Sequence, residues 1–373
     1  MLSNIARKIK AVIISIFNNI YNVILAFKNY SEIKNLSQLS VLSPENKKNY
    51  SVSRCSICQS ENIHLFARLP LGIPGNQNHS LLYFDYGNID TDLLLKKKNI
   101  IDKTLGLFLL IPWNFCNRCK NASIGISLSN KHLLEYYSKY YFRKWGSEPN
   151  RRNTKELHGK YLSSLLAKKS KILEIGAAEG FAAEYLADQG HEVVVFEPSK
   201  FKKILMQKPN LKYLNKIDMV EGFFDAIYLH HVLEHIPNPI GYLKRLSAFL
   251  RDGLLLIQVP DLSLQINFLK IMMKNNIYSF FNHFYFSLDN IAYKFSTEKQ
   301  YSWFDALAND HISAFTPEGI NYVLENSGFY IVEMIRSTPE RISSNQLKYA
   351  WPVDEITGNT PHGITVIARR VDS

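Results

Sequence analysis

From Lys171 onward, short apolar runs alternate with stretches in which apolar residues recur every three or four positions. Lys171–Ile175, Glu192–Phe196, Phe224–His230 and Gly253–Val259 read as strands, the second rich in Val and the fourth stopped by Pro260. A weaker strand is expected at Leu211–Leu214. Between them, Glu179–Gln189 has helical spacing and stops at Gly190, a residue suited to the left-handed turn that closes a helix. A second helix is expected near 199–207 and a third at Pro239–Leu250. Thr316–Asn326 carries a Thr cap and a Pro in its first turn, and Phe329–Ile335 and Gly363–Arg369 are the last strands. Strands separated by helices of this length predict an α/β fold with a doubly wound, largely parallel sheet.

The chain before Lys171 is patterned differently. Ala11–Phe27 is free of charge and follows Arg7, Lys8 and Lys10. The polar residues Asn4, Lys8, Ser15, Asn18, Asn19 and Asn22 fall mostly on one helical stripe. An amphipathic helix fits this better than a span, which needs roughly 17–25 apolar residues. It would dock on another domain or lie on a membrane surface. No small-residue cleavage site follows it, against a signal peptide. The pattern divides the chain into an amphipathic helix and linker at 1–48, a cysteine-bearing module at 49–130 and an α/β domain at 131–373. The last contains an aromatic-rich insert at 261–310, read as core, acceptor lid or lipid-facing patch.

A length of 373 residues predicts two or three domains at about 150 residues each. An aromatic content of 13% argues against global disorder. The four cysteines all sit in Cys-x-x-Cys pairs, which is not the pattern of a disulfide-stapled secreted domain. A reducing, cytoplasmic setting is expected. Residues 1–170 hold 25 Lys and Arg against 10 Asp and Glu, whereas the remainder is slightly acidic. The basic half would face an anionic membrane, a phosphorylated substrate or nucleic acid, or would simply be solvated.

The sharpest chemical signal is Leu173-Glu-Ile-Gly-Ala-Ala-Glu-Gly180, at the first strand-to-helix turn of the expected sheet. Such a turn is where α/β sheets bind ligands. Gly176 allows close approach to a ligand, and Gly180 allows tight packing of helix on strand. Glu197 ends the second strand, 21 residues after Gly176, a spacing that suits a carboxylate accepting hydrogen bonds from ribose hydroxyls. Nicotinamide and S-adenosylmethionine sites share this geometry. A dinucleotide fingerprint places glycine where Ala178 stands, and the pair Tyr140 and Lys144 lies upstream of the loop rather than downstream. Both points disfavour a dehydrogenase.

The loop, the Val-Phe-Glu-Pro-Ser run ending at Ser199, and Phe224-Asp-Ala-Ile-Tyr-Leu-His-His-Val-Leu-Glu-His-Ile-Pro237 together resemble class I S-adenosylmethionine-dependent methyltransferases. So do Leu246–Pro260, His311-Ile-Ser-Ala-Phe-Thr-Pro-Glu and Leu324-Glu-Asn-Ser-Gly-Phe329. The resemblance covers about residues 150–373 apart from the insert. It implies a seven-stranded sheet with an antiparallel last strand and S-adenosylmethionine as cofactor. By position, Glu174 and Gly176 would border the methionine moiety. Ala177, Ala178 and Gly180 would complete the turn, with Glu197 and the adjoining Pro198 at the ribose. Asp218 would meet the adenine, and His230 and His231 would lie beside the transferred methyl.

Cys55-Ser-Ile-Cys58 and Cys116-Asn-Arg-Cys119 are two knuckles that can offer four thiolates to one structural zinc ion, Zn2+, across a long inserted loop. A redox pair is the weaker reading, since neither knuckle opens a helix. Leu69-Pro-Leu-Gly-Ile-Pro-Gly-Asn76, between the knuckles, resembles the zinc-binding N-terminal module of sugar C-methyltransferases. Methyl transfer needs in-line alignment and removal of a proton from the acceptor. His311, preceded by Asp310, is the first candidate base; His231 and His235 follow. The expected function is methylation of a small-molecule acceptor, a sugar or nucleotide-sugar of surface-polysaccharide assembly. Alternatives are an RNA or protein methyltransferase and a non-catalytic binding module of the same fold.

Overall fold

The computed structural model describes residues 52–70, 110–126, 148–198, 208–263, 311–343, 353–360 and 363–371, with a few single positions besides. The amphipathic helix at 1–48, the helix at 199–207, most of the 69–76 stretch and nearly all of the 261–310 insert lie outside the described residues. No helix among the described residues is long and apolar enough to cross a membrane.

The main sheet is built from β4 (Lys171–Ile175), β5 (Glu192–Phe196), β6 (Leu211–Leu214), β7 (Phe224–His230), β8 (Leu250–Pro260), β10 (Phe329–Arg336) and β11 (Gly363–Arg370). Their order across the sheet is β10-β11-β8-β7-β4-β5-β6. The strands from β6 across to β8 pair in parallel, and β11 runs antiparallel to both neighbours. This is the seven-stranded mixed sheet that the strand pattern and the resemblance implied.

Both faces of the sheet are covered, which is why its strands are apolar without alternation. Ile172, Val193, Ala226 and Leu256 pack on Leu162 of α1 (Glu148–Ser164) and on Ala183 and Leu186 of α2 (Phe181–Asp188). Their neighbours Leu173, Val194, Ile227 and Leu255 face the other way. They meet Leu243 and Leu246 of α3 (Pro239–Ser247) and Ile320 and Val323 of α4 (Pro317–Glu325). Asn238 and Thr316 cap α3 and α4 through their side chains, each followed by a proline in the first turn.

β8 starts at Leu250, earlier than the glycine-bounded reading, and α3 ends correspondingly sooner. Gly253 lies where the β7–β8 register shifts, and a Cβ there would sit 2.6 Å from the Asp225 carbonyl oxygen. The glycine is thus a point of close backbone approach inside the strand rather than its boundary.

A second sheet, antiparallel throughout, has the order β1 (Ile63–Pro70), β2 (Leu110–Cys116), β3 (Ala122–Ile124) and β9 (Ser313–Ala314). Its outer strand β9 comes from far downstream. The cysteine-bearing sheet is therefore completed by a segment of the α/β part of the chain, which the linear division at residue 130 did not foresee. Asn121 reinforces the join: it is fully buried, its Nδ2 donates to the Gly319 carbonyl at 3.0 Å and its Oδ1 accepts from the Thr316 N–H at 3.3 Å.

Candidate active site at the carboxyl ends of β4, β5 and β7

The turn after β4 is held in a shape that few residues adopt. Gly176, Ala178 and Gly180 all have positive φ, at 71°, 51° and 80°. At Gly176 a Cβ would lie 2.6 Å from Val232 Cγ2, so glycine is required by space as well as by conformation. Ala178 carries the cost of a left-handed residue, offset by its N–H donating to Glu197 Oε2 at 2.8 Å. Gly176 N–H donates to the Phe196 carbonyl at 2.8 Å, tying the turn to the end of β5. Ala177 is buried beneath the turn, and Pro198 follows Glu197 half-buried. The loop residues and Glu197 are therefore one hydrogen-bonded unit. Asp218 is not brought into it: the short helical turn Ile217–Met219 leaves its carboxylate on the surface, paired with Arg245.

Behind the turn lies a charged interior that the sequence reading did not identify. Glu174 is buried at the end of β4; burial raises its carboxyl to about 7, with Lys155 opposing the rise and Glu197 adding to it. Lys155, from α1, is held below its ordinary value by burial, against the pull of Glu179, Glu174 and Glu197. Its Nζ lies 3.3 Å from His230 Nδ1. One turn away, Arg151 pairs with Glu179 at 3.0 Å. Lys155 and Arg151 are four apart on one helix face, a signal present in the basic run at the start of α1.

The end of β7 gathers imidazoles. His230 and His158 stack at 3.7 Å between centroids. Burial, with cationic Lys155 close by, holds both well below the usual histidine range, so both are neutral. His158 Nε2–H donates to the Gly358 carbonyl. His231, at φ 52°, has Nδ1 3.1 Å from Glu234 Oε1 and Nε2 3.1 Å from Asn359 Oδ1. A short helical turn, Leu233–His235, then delivers Glu234 and His235. His235 meets His311 edge-on at 4.8 Å, and His311 Nε2 lies 3.9 Å from Glu234 Oε1. Ile312 N–H donates to the Glu234 carbonyl at 2.9 Å, which brings the distant His311 segment here. Burial alone would raise the Glu234 carboxyl, but His231, His235 and His311 together hold it below the ordinary carboxylate range. The three candidate bases thus share one carboxylate. Glu234 and Asn359 were not singled out in the sequence; the former stood in the quoted motif, the latter carried no signal.

The four cysteines also converge. Cys55 Sγ lies 3.7 Å from Cys119 Sγ, and Cys58 Sγ lies 3.5 Å from Cys116 Sγ. All four sulfurs lie within 4.8 Å of one another. A tetrahedral zinc with bonds of about 2.3 Å sets its sulfurs about 3.8 Å apart, so this donor set fits that ion. Each knuckle closes alike: Gln59 N–H donates to Cys55 O and Lys120 N–H to Cys116 O, with Gln59 and Lys120 both left-handed.

Residues 137–334 match the protein-family model of the methyltransferase domain. No curated protein matches the chain. Solved structures with a similar fold include the 1,6-didemethyltoxoflavin-N1-methyltransferase of Burkholderia thailandensis, solved with S-adenosylhomocysteine. It is 17% identical, at a TM-score of 0.38 over 59% of this chain and 79% of that one. The magnesium protoporphyrin IX methyltransferase of Synechocystis PCC 6803 is 12% identical, at a TM-score of 0.37 over 65% of this chain and all of that one. The CcbJ methyltransferase of Streptomyces caelestis is 13% identical, at a TM-score of 0.36 over 64% and 96%.

Proposed function

The chain belongs to the methyltransferase-domain family, and from that premise we propose that this S-adenosylmethionine-dependent enzyme methylates a small-molecule acceptor, a sugar or nucleotide-sugar. The observation that carries the cofactor assignment is the locked unit of Gly176, Ala178 and Glu197. One Glu197 oxygen fixes the turn, and the carboxylate is a two-oxygen acceptor suited to a ribose diol. Bound S-adenosylmethionine would supply an electrophilic methyl group on a sulfonium.

The residues of this chain divide the remaining work. Glu174, with Gly176, Ala177 and Gly180, lines the position of the cofactor's methionine end, and Lys155 keeps that buried carboxylate compensated. Pro198 flanks the ribose position. His230 is neutral, set between His158 and Lys155, a wall rather than a proton carrier. Proton removal from the acceptor falls to the imidazoles around Glu234, with His311 first and His231 and His235 beside it. The buried Glu234 carboxylate lies against them, a negative charge beside the place where the acceptor's proton arrives. Asp218 contributes at most from the periphery, since Arg245 engages it.

The acceptor class rests on the 69–76 stretch and on the gathered cysteines. Residues 49–130 are assigned as a module with structural zinc on Cys55, Cys58, Cys116 and Cys119 in a cytoplasmic protein, and the amphipathic pattern at 1–48 is assigned to docking on another domain or to peripheral membrane contact. Residues 131–373 are the transferase. The test is mass spectrometry of sugar nucleotides incubated with protein and isotopically labelled cofactor. Gain of one methyl mass is expected. Labelling of RNA or protein but of no small molecule would overturn the acceptor assignment.

A further inference from the structure

Glu234 poses a problem that the transferase reading leaves open. Its carboxylate is 1% exposed, and neither oxygen has a hydrogen bond of acceptable geometry. A bare buried carboxylate costs several kcal/mol as a rule, so native proteins pair it or ligate it, and here imidazoles alone stand against it. What surrounds it here is nitrogen. His311 Nε2 stands 3.9 Å away, His231 Nδ1 stands 3.1 Å away off the hydrogen-bond angle, and His235 packs edge-on against His311. A carboxylate oxygen and one nitrogen each from His235 and His311 lie within 4.8 Å of one another, all three residues buried.

We propose that Glu234, His235 and His311 form a second metal site, holding a divalent transition-metal ion beside the acceptor position. Two imidazoles and one carboxylate are the ligand set of zinc hydrolases and of non-haem iron(II) centres, both of which keep an open position. Bonds of about 2.0–2.2 Å bring three such donors within about 3–3.5 Å of each other, so donors spaced by up to 4.8 Å close by up to about 1.3–1.8 Å on binding. The site is separate from the four-cysteine cluster and differs in donors: nitrogen and oxygen rather than sulfur. Glu234 is bracketed by the helical turn Leu233–His235 and by the Ile312–Glu234 backbone bond, which holds the distant His311 in register.

This assignment rests on the methyltransferase reading for its purpose. The open position would take the acceptor's hydroxyl oxygen, whose pKa the ion lowers. The hydroxyl proton leaves to bulk water, since in this assignment His235 and His311 serve as ligands rather than as the base. The oxygen then forms its bond to the methyl carbon as the carbon–sulfur bond breaks, with the pair remaining on sulfur. Charge balances: an alkoxide and a sulfonium become an ether and a thioether.

Cobalt(II) titration of the full-length protein tests the site. Cobalt on cysteine shows thiolate charge-transfer absorption; cobalt on nitrogen and oxygen shows ligand-field bands without it. The expected wild-type result is one equivalent without charge transfer, beyond any equivalent that has it. Glu234→Gln should weaken that nitrogen–oxygen equivalent at least tenfold and leave the thiolate equivalent intact, which also shows that the variant folds. His311→Gln gives a second, independent loss. A wild-type protein that takes cobalt only with thiolate absorption, or variants that bind as wild type does, would overturn the proposal. Calorimetry with S-adenosylhomocysteine reads the methyltransferase assignment separately: binding there with no nitrogen–oxygen cobalt sinks the metal site alone.

Discussion

Substituting Glu197 by Gln separates two jobs of one side chain. In the wild type, Oε2 accepts the Ala178 N–H at 2.8 Å and so holds a left-handed alanine in the turn after β4. The amide of Gln can still present its carbonyl oxygen to that N–H, so the turn survives. What the substitution removes is the second acceptor and the negative charge, replacing them with an NH₂ donor facing the ribose position. Hydrogen bonds to charged groups contribute about 1.5–3 kcal/mol each, and a diol makes two. Partial re-pairing of a hydroxyl with the new donor recovers some of this. A net loss of about 3 kcal/mol, roughly 100-fold in affinity, is the expectation. Isothermal calorimetry with S-adenosylhomocysteine measures it, and thermal unfolding checks that the fold is retained. A folded variant that loses less than threefold in affinity would refute the placement of the ribose on Glu197. Glu197→Ala should in addition destabilise the protein, because the Ala178 N–H then has no acceptor.

Other expectations follow from the same geometry. Gly176→Ala should cost about 2–4 kcal/mol in urea unfolding, since it adds a left-handed penalty to a 2.6 Å approach on Val232. His311→Ala should lower turnover by at least about 10²-fold while leaving cofactor affinity within a factor of two; unchanged turnover would remove it from the reaction, whether as base or as ligand. Glu174, raised to about 7, binds a proton in the folded state that the unfolded chain releases near 4.5. Its contribution to stability therefore declines as pH rises from about 4.5 through 7, and Glu174→Gln should stabilise the protein more at about pH 8 than at about pH 5 in thermal melts. Elemental analysis should find zinc on the cysteines. Cys119→Ser should lower both the melting temperature and turnover, because the residues after it, Lys120 and Asn121, hold the first turn of α4.

Much of the α/β half was readable from the chain because local rules and global fold agree there. Each of β4, β5 and β7 is a short apolar run between helix signals, and a parallel sheet buried on both faces demands that composition. The glycine turn after β4 was readable for a related reason: positive φ at Gly176 and Gly180 leaves a glycine signature. The knuckles were visible as pairs, since each is a local loop. Strand limits were less legible, as Gly253 shows, because a glycine that ends a strand and one that lets two backbones touch look alike in sequence.

The strand–helix alternation, the glycine turn with Glu197 and the thiol donors are written into neighbouring residues, because each depends on positions close along the chain. Packing of the layers is what makes Ser313–Ala314 complete the cysteine-bearing sheet and sets Lys155 against Glu174 and His230. The same holds for the gathering of His231, His235 and His311 on one buried Glu234. The contacts of Ser313 with Ser123, of Lys155 with His230 and of His311 with Glu234 join residues tens to hundreds of positions apart. A charged or imidazole side chain carries no periodic mark of its partner; burial selects the partner once the layers have packed.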